Sequence, residues 1–581
     1  MGSSGENSEG ISWRDWSQES FDEASKKGQL VLLDLFAPWC HWCHVMDEKT
    51  YSDADIIKTI NENFVPVRVD IDGRPDVSER YNRGGFPSTV FLSERGEVIW
   101  GATYVPPNDM KRVMEQILAS KSSGEIEMAL ERDRMQFLDV SKGLERREQV
   151  EPSFVEGVFE DIFATYDVEW GGFGTDQKFP HADVLDLLLF KHAENDDREL
   201  SVAVANTLDK MTEGLYDRIA GGIFRYSVTR NWKTPHYEKM LETNLGFLRN
   251  LAHASLILGQ GRFAETAEGV ASYLFTTLRD EAAGGFFSSQ DADEKYYNLS
   301  RVERAKSPAP KVVRDIYAGW NCEAASTLIE AGVLLDRKDW VKLGQDAWGC
   351  SLRQHWDPGR ALVRHREGQE LYLLEDQVSF LEALIAVLEL APEDEMRELL
   401  DMGERLIGAV DKTFAHPEGG YGDVLTGKDS IGELAEPRMP IVANTKWARS
   451  LALFSVADFK PELAEAGWRV LKSFHPKQLQ ANGVFAAPYV LAWWVLENGP
   501  QLVEIHGTNG GDLPNEPLWT SAKKAIYPGT VVMRARRVGP EVSRPSRPFA
   551  VVCRSTGCSK EIEDPKALMK IIKGKAQVNS K

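Results

Sequence analysis

Two cysteines separated by two residues, Cys40-His41-Trp42-Cys43, form the clearest chemical constellation in the chain. That spacing allows a disulfide across one helical turn. The apolar run at 30–36 has the length of a buried strand, and residues 40 to about 61 read as one helix with Asp53, Asp55 and Lys58 at polar positions. A cysteine at the point where a strand hands over to a helix meets free N–H groups and the positive end of the helix dipole. Both stabilise a thiolate. His41 inside the loop and His44 just beyond it add positive charge when protonated, which makes such a pair more oxidising. Thiol–disulfide exchange is the chemistry this pattern favours. Other readings stay open: Cys40 to His44 also spells a haem-attachment signature, the two cysteines with His44 could hold zinc or copper, and the pair could be redox-inert.

The other four cysteines differ. Cys553 and Cys558 form a looser pair whose turn would let them bridge in a structural or weakly metal-binding role. Cys322 and Cys350 lie in helical patterns and are expected to pack as small apolar groups.

A second set of candidates lies further along. Thr234 reads as the cap of a helix starting at Pro235, which would put His236 and Glu238 in its first turn beside Arg225-Tyr226. A histidine there stays neutral and can serve as a base, while the plain role of Glu238 is to complement the dipole. Asp291-Ala292-Asp293 places two carboxylates on one side of extended chain, suited to glycoside hydrolysis, to a cation or to bridging loops. His365 and Glu375-Asp376-Gln377 complete the candidates for a cleft. Paired histidines there would suit proton abstraction beside a sugar carbonyl, as in an epimerase.

The elements that must position these residues fall into blocks. Residues 1–120 alternate helix and strand, with Phe21 and Ala24 in a first helix, a second buried strand at 64–71, and a hairpin turning at Glu94-Arg95-Gly96. Residues 121–150 are highly charged and read as an exposed helix or linker. From 151 to 500 the pattern is helical, as at 184–193, 241–258 and 380–390. Loops with paired glycines and aromatics interrupt it at Gly171-Gly172-Phe173, Gly221-Gly222-Ile223-Phe224, Gly284-Gly285-Phe286 and Gly419-Gly420-Tyr421. Trp356-Asp357-Pro358-Gly359 is a degenerate fifth. Spacings of roughly 50–75 residues fit two helices and a loop per unit, and favour a closed α/α barrel with a loop-built cleft over an open solenoid. Residues 501–581 return to mixed structure, a small α/β appendage with strands at 502–506, 530–535 and 549–553 and a helix at 565–572. The fold class is therefore multidomain: α/β, then all-α, then α/β.

Composition narrows the partners. The 581 residues carry a formal charge of −21, which argues against nonspecific binding to nucleic acid. No apolar run is long enough to span a bilayer, and the first residues show neither a basic, apolar leader nor a myristoylation pattern. A cytoplasmic protein without a membrane partner is expected. Sixteen tryptophans suit either a large helical core or a carbohydrate-type cleft.

The stretch from Leu33 through Trp39-Cys40 resembles thioredoxin, as do 67–72 and Gly84-Gly85-Phe86-Pro87-Ser88-Thr89. The resemblance implies that Asp34 is the buried acid carrying a proton for Cys43 and that Arg68 pairs with it. It also implies that Trp39 and Trp42 flank the site and that Pro87 is the cis-proline shaping the groove for a peptide. Across nearly its whole length the chain resembles the spermatogenesis-associated protein 20 family, on the motifs 40–46, 221–228, 235–241 and 291–293. That implies a thioredoxin-like domain fused to a six-hairpin barrel similar to N-acylglucosamine 2-epimerases and related glycosidases. Two departures weigh against carboxylate-based sugar chemistry: 294–298 and the basic stretch to Lys311 replace an acidic, glycine-rich continuation, and Gln290 stands where an acid is common.

The expected activity is thiol–disulfide exchange or redox sensing on a protein client, without a cofactor. Cys40 would attack and Cys43 resolve, with the barrel recognising a client or ligand. The alternatives are a sugar-active enzyme, or a sugar-binding protein, with an accessory thioredoxin domain.

Overall fold

The computed structural model describes residues 10–140, 151–507, 516–535, 547–555 and 557–574, with side chains left aside for 133–140. The charged segment 141–150 and the first nine residues lie outside it. The chain divides into two compact units. The first holds residues 1–147 and two later stretches, 291–293 and 424–438; the second holds 148–290, 294–423 and 439–581.

The first unit is built on four strands: β1 (Leu30–Phe36), β2 (Phe64–Asp70), β3 (Ser88–Leu92) and β4 (Val98–Ala102), in the order β2-β1-β3-β4. β1 runs parallel to β2 and antiparallel to β3, and it is buried along almost its whole length. A continuous apolar run is what a strand covered on both faces requires. The first helix, Gln18–Lys27, buries Phe21 and Ala24 and starts at Ser17, whose side chain accepts from the Ser20 N–H. The single helix expected over 40–61 is two: His41–Lys49 and Ala54–Asn63. Asp53 makes the break. Its carboxylate accepts from the N–H groups of Asp55 at 3.0 Å and Ile56 at 3.1 Å, so it caps the second helix instead of decorating the first. The stretch 424–438 completes the unit: Arg80 donates to the Glu433 carbonyl at 3.0 Å and Trp16 to that of Asp429 at 3.1 Å.

In the second unit six helices form an inner ring: Ala182–Asn195, Leu241–Ile257, Ala318–Leu334, Leu374–Leu388, Ile441–Ala457 and Ala487–Asn498. Each packs on the next, and the last returns to the first, closing an (α/α)6 barrel. Outer helices Arg198–Gly214, Gly261–Tyr273, Lys338–Gln354, Glu393–Thr413, Pro461–Leu471 and Pro152–Ala164 each back one inner helix. The outer ones are amphipathic: Glu393–Thr413 buries Met396, Leu399, Leu400, Gly403, Leu406, Ile407 and Val410, one stripe at three- and four-residue spacing.

The glycine loops repeat one turn. The N–H of Asp167, Asp217, Asp280 or His416 donates to the carbonyl of Gly172, Gly222, Gly285 or Gly420 at 2.8–3.0 Å. One amide on the following inner helix then grips the loop. Asn244, Asn321 and Asn444 accept through Oδ1 from the N–H of Ile223, Phe286 and Tyr421 at 2.7–2.8 Å. Gln377 does the same for Val363 at 2.8 Å, which makes the Trp356 loop a member of the set.

The C-terminal strands Gln501–His506, Thr530–Arg534, Phe549–Arg554 and Gly557–Cys558 form a sheet led on one edge by Thr530–Arg534 and on the other by Gly557–Cys558. This sheet belongs to the second unit. Glu389 of the barrel accepts from the Val532 N–H at 2.9 Å and from Lys523. Among the described residues no helix is long and apolar enough to cross a membrane.

Candidate functional site

β1 ends at Phe36, and the turn Ala37-Pro38-Trp39 delivers Cys40 to the N-cap of helix His41–Lys49. The Cys40 sulfur accepts from the Cys43 N–H at 3.3 Å, and the two cysteines are disulfide-paired with their Cα atoms 5.3 Å apart. This is the anion-stabilising end of a helix, where a thiol loses its proton readily. Trp39 is buried and donates to Asp72 at 2.5 Å, fixing the turn. Trp42 is 48% exposed, edge-on to His41 and tilted against Tyr104. The Phe86–Pro87 peptide is cis.

Asp34, on β1, is buried and lies in register with Arg68 on β2; their side chains form an ion pair at 3.0 Å. Arg68 also holds Asp47 at 2.8–2.9 Å, and Tyr51 donates to Asp34 at 3.4 Å. Burial pushes the Asp34 carboxyl up to about 6 against the pull of Arg68. An acid that titrates near neutrality can both take and return a proton.

Asp291 and Asp293, expected in the barrel cleft, belong to the first unit instead. Asp291 Oδ2 lies 3.3 Å from His44 Nε2. That hydrogen bond raises the histidine above its ordinary value, against partial desolvation. Two motifs far apart in sequence thus meet at the redox pair. Among the described residues no group of three or more His, Cys, Asp or Glu is placed to hold a metal ion.

The second unit places the remaining candidates. The helix expected from Pro235 begins only at Leu241, after Met240. Residues 235–236 pair with Tyr226-Ser227, and 239–240 with Ser289-Gln290. A proline tolerates a short edge strand as well as a first helical turn, and the available partner strands decide the matter. His236 therefore stands at no helix terminus. Its ring stacks on Tyr226 at 4.4 Å, and Nδ1 lies 3.6 Å from the buried Glu238 carboxylate. The Arg225 backbone N–H donates to the Glu238 carbonyl at 2.9 Å. His365 and Asp376 are both buried, joined at 3.0 Å, and Asp376 also accepts from the Gly319 N–H at 2.8 Å. Their geometry clamps a loop to two helix starts.

Sequence reasoning missed the charges on the barrel's inner helices. Arg249 binds Asp186 at 2.7 Å, Asp183 at 3.1 Å and Glu323 at 3.4 Å; Lys446 binds Asp183 at 2.9 Å. His253 bridges Asp186 and Glu330 at 2.9 and 3.2 Å, which raises it to about 10 despite burial. These groups line a cavity of ≈ 240 Å³. At the start of one inner helix, Glu242 is exposed at its surface, yet the protein mass around it and then the Glu323 charge push its carboxyl upward. Charged residues inside otherwise apolar helices, such as Glu323 in Ala318–Leu334, were the available signal. Cys322 and Cys350 are buried free thiols, raised by burial to about 12 and 11, as packing residues should be.

Comparison with known proteins follows this division. Residues 5–146 match the Thioredox_DsbH family, described as "Protein of unknown function, DUF255". An 88-residue segment is 32% identical to thioredoxin H-type from Fagopyrum esculentum, covering 15% of this chain and 69% of that protein. The amino-terminal segment belongs to the thioredoxin family. The chain is 31% identical over 311 residues to mouse spermatogenesis-associated protein 20, covering 49% of this chain and 39% of that protein. The chain therefore spans about two fifths of that relative's length. Cellobiose 2-epimerase from Bacillus thermoamylovorans overlays with a TM-score of 0.43 at 10% identity, covering 55% of this chain and 86% of that one.

Proposed function

We propose that the first unit is a thiol–disulfide oxidoreductase acting on a protein client. In the reduced form, the Cys40 thiolate attacks a client disulfide, forming a mixed disulfide and releasing one client thiolate. Cys43, losing its proton to Asp34, then attacks Cys40. The client leaves with two thiols and the Cys40–Cys43 bond is restored; the reverse sequence oxidises a client. The observation that carries this reading is the Cys40 sulfur at a helix N-cap, accepting a backbone N–H from its own partner. His44 stands four residues from Cys40, on the same helix face, where its charge supports the thiolate. The exposed Trp42 gives a client an apolar edge to lie against. The test is reduction of insulin disulfides together with trapping by Cys43→Ser, which should accumulate client joined to Cys40. Wild-type rates in Cys40→Ser would overturn it.

A second reading concerns the barrel: turnover or binding of a small polar molecule such as a sugar. It is favoured by the charged cavity, with Glu242 an exposed carboxylate at the start of an inner helix. Sugar turnover lost in Glu242→Gln and kept in Cys40→Ser would support an enzyme. Ligand-dependent stabilisation without turnover would support a binding protein.

A further inference from the structure

The Cys553–Cys558 disulfide has no evident structural duty. It joins residues that face each other across the strands Phe549–Arg554 and Gly557–Cys558, with Cα atoms 4.0 Å apart. The two cysteines are only five positions apart. A bridge closing so short a loop removes less freedom from the unfolded chain than one joining distant segments. The hydrophobic cluster beneath this sheet, around Val503, Ile505, Val552, Leu568 and Ile572, is complete without either cysteine. The position is instead an open one. Gly557–Cys558 is an edge strand and Cys558 is exposed, while Cys553 is half-buried on the strand behind it. An attacking thiolate therefore meets one sulfur first.

We propose that Cys553–Cys558 is a second thiol–disulfide exchange site, attacked at Cys558 by a dithiol of the Cys-x-x-Cys type. The Cys40/Cys43 pair of this chain, in the same or another copy, is one source of that dithiol and a separate thioredoxin is another. The Cys40 thiolate bonds to the Cys558 sulfur and the Cys553–Cys558 bond breaks, with the electron pair leaving on Cys553. Cys43 then attacks Cys40 and frees Cys558. One dithiol is oxidised, one disulfide is reduced, and two electrons move.

This rests on Cys40 as an attacking thiolate, and the two readings can be separated. Full-length Cys43→Ser, with Cys553–Cys558 oxidised and Cys40 free, is incubated alone and with insulin. Non-reduced peptides are then mapped by mass spectrometry. The expected result is Cys40 linked to Cys558 at least about tenfold more than to Cys553, given their difference in exposure. Insulin captured on Cys40 without any Cys40–Cys558 link excludes this chain's own pair as the dithiol and leaves the client reading standing. A Cys40–Cys558 link without insulin capture supports the exchange site and overturns the client reading. Dependence of the link on protein concentration separates one chain from two. In Cys40→Ser, trapping of a single-cysteine thioredoxin on Cys558 identifies the separate source. Absence of any link to Cys558 in both arms rejects the site. Cys553→Ser/Cys558→Ser should melt within a few degrees of wild type; a collapse of the melting temperature would assign the bridge a structural role and overturn the proposal.

Discussion

Two histidine–aspartate pairs of nearly equal length do opposite work in the two units. His44–Asp291 spans 3.3 Å beside a disulfide, with the histidine 45% exposed. His365–Asp376 spans 3.0 Å with the histidine side chain only 8% exposed. The first is open to water and stands four residues from Cys40, where under the proposed function a change in its protonation would reach the sulfur. The second is tied to the Gly319 N–H and stacked on Tyr317, so its contribution goes to holding loops in place. Residue type and spacing are the same; access to water and the neighbouring group decide what the pair is for.

The sharpest break would come at the sulfur. Cys40→Ser should lower insulin reduction by at least about 100-fold, because no other thiol takes its place, while Asp376→Ala leaves it unchanged in the folded fraction. A comparable loss in Asp376→Ala would erase the contrast. Stability should show the reverse order. Asp376→Ala removes the acceptor of the buried Gly319 N–H and one partner of the buried His365 ring, and unfolding in urea should show a loss on the order of 2–4 kcal/mol. Asp291→Ala should cost under about 1 kcal/mol by the same measurement.

Asp34 adds a pH signature to the first unit. Its carboxyl is raised from 3.8 to about 6, so the folded state holds a proton that the unfolded state releases. Its contribution is therefore favourable at low pH, and stability falls as pH rises from about 4 to about 6. Asp34→Asn should flatten that fall and leave the protein more stable above pH 6, by on the order of 3 kcal/mol at most. It should also slow the resolving step, read as longer-lived mixed disulfide. The smallest effect sharpens the comparison most directly. His44 is raised mainly by Asp291, so its charge persists to higher pH than an ordinary histidine's. Asp291→Asn should move the pH at which Cys40 loses this support downward, seen as a shifted pH profile of Cys40 alkylation at unchanged folding.

How much of this was legible followed the distance over which the information is stored. The Cys40 motif and the strand at 30–36 are written in contiguous runs, whereas the Asp34–Arg68 pair was implied by the resemblance to thioredoxin; the structure shows each of them. The break at Asp53 was also local: a Ser-Asp pair ahead of apolar positions is a cap signal, outweighed by apolar periodicity on both sides. Pro235 was different. Whether it opens a helix or lies in a strand depends on Tyr226-Ser227 for pairing, and no single-segment pattern carries that. The meeting of His44 with Asp291, and of Arg249 with Asp183, Asp186 and Glu323, joins residues too far apart for spacing to reveal.

The amide grip on four of the loops has a consequence for how the barrel tolerates change. A loop anchored through one side chain at the head of its own helix is free to differ in length and sequence beyond the anchored residue. The loop after Phe286 uses that freedom outside its own sector: while Asn321 holds Phe286, Ser289-Gln290 pairs with residues 239–240, Arg304 reaches Asp217 and Asp291 meets His44, so a foreign tip grafted there should keep its anchor and register at each of those places.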